Sequence, residues 1–311
     1  MWLIIVLVVI ILITVLIIKR SYKFRFDSIL LLLGCVGAGK TSTAVYILNY
    51  SIKKAQGIWK RRTKFYSKIF KKMKDEEQPL IYSTLPIYED RKKGVLHPLY
   101  RPLTSEHLLR KRRFNFKSIV FIDEVSLLAC SRDANNEKVS EYLHLWVKLI
   151  RQEMHGAYRN LLGTYPNVIL TTQSKDDSHY AFDRSINNVV YILKSLNIPF
   201  FRIVWVRDLL LIDSVVNNFN DSVKDDDSLR WYLVPTKIFN KYNSYALSFL
   251  TDNKPTDNRE PVVMDDGRFE LASFHEWKEF IKSNEKLDKA IEEMKKELIE
   301  LERKEEEKKN G

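Results

Sequence analysis

The apolar positions open with a run that has no period: Trp2 to Ile18, WLIIVLVVIILITVLII, is interrupted only by Thr14 and closed by Lys19-Arg20. Its length sits at the lower edge of what crosses a bilayer and cations follow it. It therefore predicts a single transmembrane anchor over 1–20, with the remainder of the chain on the cytoplasmic side. The flanks do not suit a cleavable secretory signal, which needs a charged start and a small-residue cleavage site. After this run, short apolar stretches alternate with helical periods. Arg25 to Leu33 predicts a core strand and Thr41 to about Lys54 a helix. Within 57–74, Tyr66, Ile69, Phe70 and Met73 fall three or four apart among lysines and arginines, which predicts a second, basic amphipathic helix. Leu80 to Tyr88 reads as a strand with Pro86 near its end, Glu89 to Pro102 as loop, and Ser105 to Arg113 as a short helix. Lys117 to Glu124 is a buried strand. Glu141 to Met154 is a helix with Tyr142, Leu145, Trp146, Leu149 and Ile150 on one face, and Asn167 to Gln173 is another strand. Asp183 to Lys194 and Pro199 to Val206 continue as strand-like runs, and Leu229 to Leu250 is rich in aromatic residues.

Strands alternating with helices over 21–250 predict an α/β domain with a mostly parallel central sheet flanked by helices. From Thr251 to Arg268 the chain turns polar and carries Pro255, Pro261 and Gly267, so 251–272 reads as a linker. Beyond it, Phe280, Leu287, Ile291, Met294, Leu298 and Leu301 keep a spacing of four and three. A helical tail over 273–311 with coiled-coil potential follows, ending in a charged, unstructured segment from Glu305.

The chain has 311 residues and a formal charge of +11, with lysine and arginine crowded into 19–25, 53–74 and 110–113. That balance implies an anionic partner, nucleic acid or the inner membrane surface, and leaves the choice open. Only two cysteines occur, Cys35 and Cys130, at a spacing that suits neither a metal site nor a disulfide framework.

Two motifs carry chemistry. Gly34-Cys35-Val36-Gly37-Ala38-Gly39-Lys40-Thr41 matches G-x-x-x-x-G-K-[ST] at every fixed position, after a strand and before a helix. Such a loop turns successive backbone N–H groups, and the positive end of the following helix, toward one phosphate. Gly34 through Ser42 are the candidate nucleotide-binding residues for ATP. Lys40 would reach the β- and γ-phosphates and Thr41 would hold Mg²⁺. The second motif is the apolar strand IVFI ending in Asp123-Glu124: Asp123 is the partner expected for Mg²⁺ beside Thr41, and Glu124 the base for the attacking water. Gln173, ending another strand at the ligand-facing edge of such a sheet, is a third candidate, positioned to orient water near the γ-phosphate.

The order GCVGAGKT, YSTLPI, IVFIDE, IRQEMH, VILTTQ and KIFNKYNSY, from about Arg25 to Leu250, resembles the zonular-occludens-toxin-like family, the assembly ATPases of filamentous phages. The resemblance implies a membrane-embedded ATPase at the host inner membrane, where single-stranded phage DNA is packaged, coat subunits are added and the virion is extruded. It assigns nucleotide binding and hydrolysis to Lys40, Thr41, Asp123, Glu124 and Gln173. Two features depart from the family pattern. The family usually places its span after the ATPase domain, whereas here the span is Trp2 to Ile18. Its Arg-His pair before the TTQ-like strand is here split into Arg151 and His155, which leaves an arginine finger open among Arg151, Arg159 and Arg184. The implied partners are the membrane, further copies of the chain in a homo-oligomer or ring, single-stranded DNA or nucleoprotein, and coat or pore proteins. A DNA-translocating ATPase of conjugation or packaging, and a nucleotide-switched membrane scaffold, are the alternatives.

Overall fold

The computed structural model describes residues 2, 29–69, 78–115, 117–125, 136–155, 166–173, 189–208, 230–243, 262–263, 269–270 and 283–310. The predicted anchor, Trp2 to Ile18, lies outside these residues except for Trp2. Among the described residues no helix is long and apolar enough to cross a membrane.

The first strand, β1 (Ile29–Leu33), is all aliphatic and buried along its whole length, as a strand covered on both faces must be. It feeds through the glycine-rich loop into α1 (Lys40–Ile69). This helix is one element where the sequence predicts two: it runs through Gly57, whose cost of about 1 kcal/mol is too small to end a helix anchored by its buried face. The strand predicted over 80–88 splits around Pro86 into β2 (Ile81–Ser83) and β3 (Tyr88–Asp90). The expected loop after it holds β4 (Val95–Leu96), which pairs with β3, and β5 (Tyr100–Pro102), which pairs in parallel with β2. Gly94, with φ 67°, makes the turn between β3 and β4. A single turn, α2 (Ser105–Leu108), leads to β6 (Ile119–Ile122), the strand of the second motif. Then follow α3 (Asn136–His155), β7 (Val168–Thr172), and the antiparallel trio β8 (Val189–Ile198), β9 (Phe201–Asp208) and β10 (Arg230–Pro235). A small hairpin, β11 (Val262–Val263) with β12 (Phe269–Glu270), precedes α4 (Asn284–Asn310).

The strand order of the main sheet is β10-β9-β8-β1-β7-β6-β2-β5. The six strands from β8 to β5 run parallel, and β9 and β10 extend the sheet antiparallel. This is the expected α/β fold with a mostly parallel central sheet. Strand alternation divides the core in two. Leu30 and Leu32 pack with Ala44, Val45, Leu48 and Ile52 of α1, whereas Ile29, Leu31 and Leu33 face Tyr142, Trp146 and Leu149 of α3.

The helical tail does not stand free. Leu287, Ile291, Met294 and Leu298 of α4, four of the residues of the predicted coiled-coil seam, are buried in the same cluster as α3. Each contributes about 1.5–3 kcal/mol relative to exposure. Ion pairs from Lys295 to Glu141 (2.6 Å), Lys138 to Asp288 (2.7 Å) and Arg110 to Glu297 (2.6 Å) border the contact. Four of the six positions named for that seam are thus covered by the chain's own core, and Phe280 lies outside the described residues. The helix also continues to Asn310, through most of the segment expected to be unstructured.

Candidate nucleotide site

β1 lies between β7 and β8, and β7 separates it from β6. In a parallel sheet of this kind ligands sit beyond the carboxyl ends of the strands. Both motifs emerge there: the glycine-rich loop follows Leu33 and the acidic pair follows Ile122. The loop curls back on itself, with Ala38 N donating to Cys35 O (3.2 Å) and Thr43 N to Gly39 O (3.0 Å). Gly34 has φ 150°, and a Cβ there would collide with the carbonyl oxygen of Ile192 on β8, so only glycine lets the loop leave the sheet this close to its neighbour. Cys35 and Val36 are exposed at the tip, whereas Ala38, Lys40 and Ser42 are buried.

Lys40 folds over the loop. Its ammonium donates to the carbonyls of Gly34 (2.8 Å) and Cys35 (3.2 Å) and lies 3.6 Å from Glu124 Oε1. Thr41 Oγ1 donates to Asp123 Oδ1 at 3.0 Å. The two motifs, 82 residues apart, therefore meet in one place. Asp123 is held from three sides. Thr171 Oγ1 of β7 donates to the same carboxylate oxygen at 2.7 Å, and Thr84 Oγ1 accepts from the Asp123 backbone N–H at 3.0 Å. Burial pushes the Asp123 carboxyl up to about 6, reinforced by the neighbouring Glu124 charge and opposed by the hydrogen bonds from Thr171 and Thr41 and by Lys40. Glu124 sits in the left-handed region, φ 53°, with its backbone N–H on Thr171 Oγ1 (2.9 Å) and its Oε2 buried without a hydrogen-bond partner. A non-glycine residue in that conformation costs on the order of 1–2 kcal/mol, which surrounding contacts must offset.

These donors suit magnesium: a threonine hydroxyl and a buried carboxylate are hard oxygen ligands within 3.0 Å of each other. The unpartnered Glu124 Oε2 points to a polar group that completes the site. Gln173 is exposed at the bend following β7, and no hydrogen bond ties it to Lys40, Thr41, Asp123 or Glu124. Arg159 and Arg184 lie outside the described residues, as does the side chain of Arg151.

Several residues at the site carried no local signal in the sequence. Thr84 and Thr171 were strand residues without a motif. Arg202 of β9 reaches the loop from the opposite edge: NH1 donates to Ser42 Oγ (3.1 Å), NH2 to Gly37 O (3.3 Å) and Nε to Ser195 Oγ (2.9 Å). Its guanidinium stands over the Phe239 ring, 5.5 Å from the centroid. Tyr242, whose hydroxyl pairs with the Ser42 side chain, is pushed up to about 12 by burial.

No protein-family model and no curated protein matches the chain. Among solved structures it is similar to the N-terminal domain of zonular occludens toxin from Neisseria meningitidis, with a TM-score of 0.40 and 16% identity over 70% of this chain and 100% of that one. It is also similar to a KaiC-like protein from Pyrococcus horikoshii OT3 (TM-score 0.32, 18% identity, 61% of this chain and 82% of the other). A third is the genome packaging NTPase B204 from Sulfolobus turreted icosahedral virus 2, solved with sulfate (TM-score 0.26, 12% identity, 58% and 91%).

Proposed function

We propose that this chain is a membrane-anchored ATPase that spends ATP on the assembly or extrusion of a filamentous phage, or on export of its DNA. The observation that carries the ATPase reading is the 3.0 Å contact between Thr41 and Asp123, with Lys40 and Glu124 beside it. In this reading Gly34 to Ser42 cradle the phosphates, Lys40 neutralises the terminal ones, and Thr41 with Asp123 holds Mg²⁺. When bound, that ion supplies charge neutralisation at the β- and γ-oxygens. Glu124 takes the proton of the attacking water. Thr171 and Thr84 fix the acidic pair in place. The apolar run Trp2 to Ile18, the charge of +11 and the order of motifs resembling the zonular-occludens-toxin-like family support the membrane, polyanion and phage parts of the reading.

The test is ATP turnover by the full chain in membranes. Wild type is expected to hydrolyse ATP in a Mg²⁺-dependent manner, Lys40→Ala to lose nucleotide binding, and Glu124→Gln to bind ATP while turning over at least about 100-fold more slowly. If both variants match wild type, the ATPase reading fails. Stimulation by single-stranded DNA but not duplex across a salt series supports the phage role; equal stimulation by both favours a duplex translocase.

A further inference from the structure

We infer that Arg202 is a phosphate-contacting arginine supplied by the chain to its own nucleotide site, delivered from the β8–β9 hairpin to the loop's outer side. The inference rests on the nucleotide-loop reading and assigns that site a residue the motifs do not contain. Three strands of observation converge on it. The guanidinium packs beside Gly39, where an added Cβ would lie 3.4 Å from its central carbon, so it stands directly next to the Gly39-Lys40-Thr41 turn that binds phosphate. Its hydrogen bonds to Ser195, Ser42 and Gly37 use one donor each on Nε, NH1 and NH2, which leaves two of its five N–H groups to meet an oxyanion. Finally, the side chain is aimed. Ser195 holds Nε from β8, Phe239 supports the flat face, and Ser42 and Gly37 O fix the fork against the loop.

A planar fork held in this way presents paired donors that a lysine cannot reproduce. The position also divides the work at the site. Lys40 and Glu124 lie on the β6 side of the loop, whereas Arg202 approaches from the β8 side and meets Ser42, the residue after the magnesium threonine. Its natural target is therefore the phosphate nearer the nucleoside. The Phe239 ring beneath the guanidinium also lines a cavity of about 910 Å³ bordered by charged residues of both signs, among them Asp90, Arg91 and Lys241.

The experiment is equilibrium binding of ATP, ADP, AMP and adenosine to the full-length wild type, Arg202→Ala and Arg202→Lys, with thermal melting of each protein alone. Arg202→Ala is expected to weaken ATP, ADP and AMP by about 10- to 100-fold, and adenosine not at all. Arg202→Lys, which keeps the charge, is expected to recover less than half of that loss on a logarithmic scale. An unchanged affinity for all three phosphorylated nucleotides in Arg202→Ala overturns the inference. So does an equal loss for adenosine, which reports a strut and not a phosphate contact; full recovery by lysine overturns the requirement for a planar fork. If wild type itself binds no ATP, the nucleotide-loop reading fails, and this outcome is separate from the behaviour of the variants.

Discussion

Thr41 and Asp123 share a hydrogen bond of 3.0 Å although one follows β1 and the other follows β6, with β7 lying between those strands. Thr171 of the intervening β7 donates to the same Asp123 oxygen at 2.7 Å, so the carboxylate is held from the strand between the two motifs. Asp123→Asn keeps the shape of the acceptor and removes its charge. Two opposite effects are expected. Mg²⁺-ATP affinity falls by about 10- to 100-fold, because a charge-assisted ligand is lost. The melting temperature at neutral pH without divalent cation rises, because a carboxylate whose ionisation is opposed by burial no longer has to be kept charged. A variant that loses both affinity and stability would show that Asp123 serves as a structural anchor.

Gly34 and Gly37 make a contrasting pair. A side chain at Gly34 meets the backbone of Ile192, whereas one at Gly37, φ 78°, meets nothing within 4 Å. Gly34→Ala is expected to push the loop off β8, lowering the melting temperature sharply and abolishing nucleotide binding. Gly37→Ala pays only for its left-handed backbone, about 1–2 kcal/mol. Parallel melting curves and ATP titrations of the two variants check this.

His107 gives the fold a pH dependence. Its ring is buried against Tyr82 and Phe114, its Nδ1 accepts from Thr104 N (3.3 Å) and pairs with Thr104 Oγ1 (2.8 Å), and burial pushes it down to about 3. The unfolded chain takes up the proton near pH 6.5 and the native state does not. Stability due to this group is therefore full above 6.5 and declines as pH falls toward 3, by up to about 1.4 kcal/mol per unit. Asp123 acts in the opposite sense between about 4 and 6, since its native carboxyl is raised, so the wild-type profile alone does not isolate the contribution of His107. The informative quantity is the stability difference between wild type and His107→Gln, by urea denaturation at several pH values. That difference is expected to shrink as pH falls below 6.5. A difference independent of pH would mean that the ring is not held neutral.

Ile291, on α4, is 4% exposed and packs in the cluster centred on α3. Ile291→Ala is expected to cost about 2–5 kcal/mol, seen as a lower denaturation midpoint, while leaving the ATP affinity of the folded fraction unchanged. Glu297→Gln at the rim, a partly exposed pair with Arg110, is expected to cost no more than about 1 kcal/mol.

What the sequence revealed was what local pattern encodes. The loop GCVGAGKT and the strand ending in Asp123-Glu124 each announce themselves within ten residues, and the structure brings them into contact. The sheet's parallel core followed from the alternation of apolar runs and helical periods. Elsewhere local reading failed for physical reasons. The sequence divides this stretch into a helix to about Lys54 and a second one within 57–74, but burial of the α1 face carries a single helix through Gly57 despite its intrinsic cost. The a/d spacing of 284–310 marks an apolar seam without saying which surface covers it, and α3 does. Arg202 reaches Ser42 across 160 residues from a strand with no motif, so only a folded chain brings the two together. Thr171 and Thr84 were likewise invisible, because a threonine in a strand is ordinary until a carboxylate is found beside it.

The placement of β1 also bears on when the site comes into being during protein synthesis. Its partners are Val168 on one side and Val189 on the other, so neither edge of the strand can be closed until most of the polypeptide has left the ribosome. Long-range pairings of this kind form slowly. A truncated translation product that carries the whole glycine loop but ends before β7 would have nothing to brace it, and would be unable to grip a triphosphate.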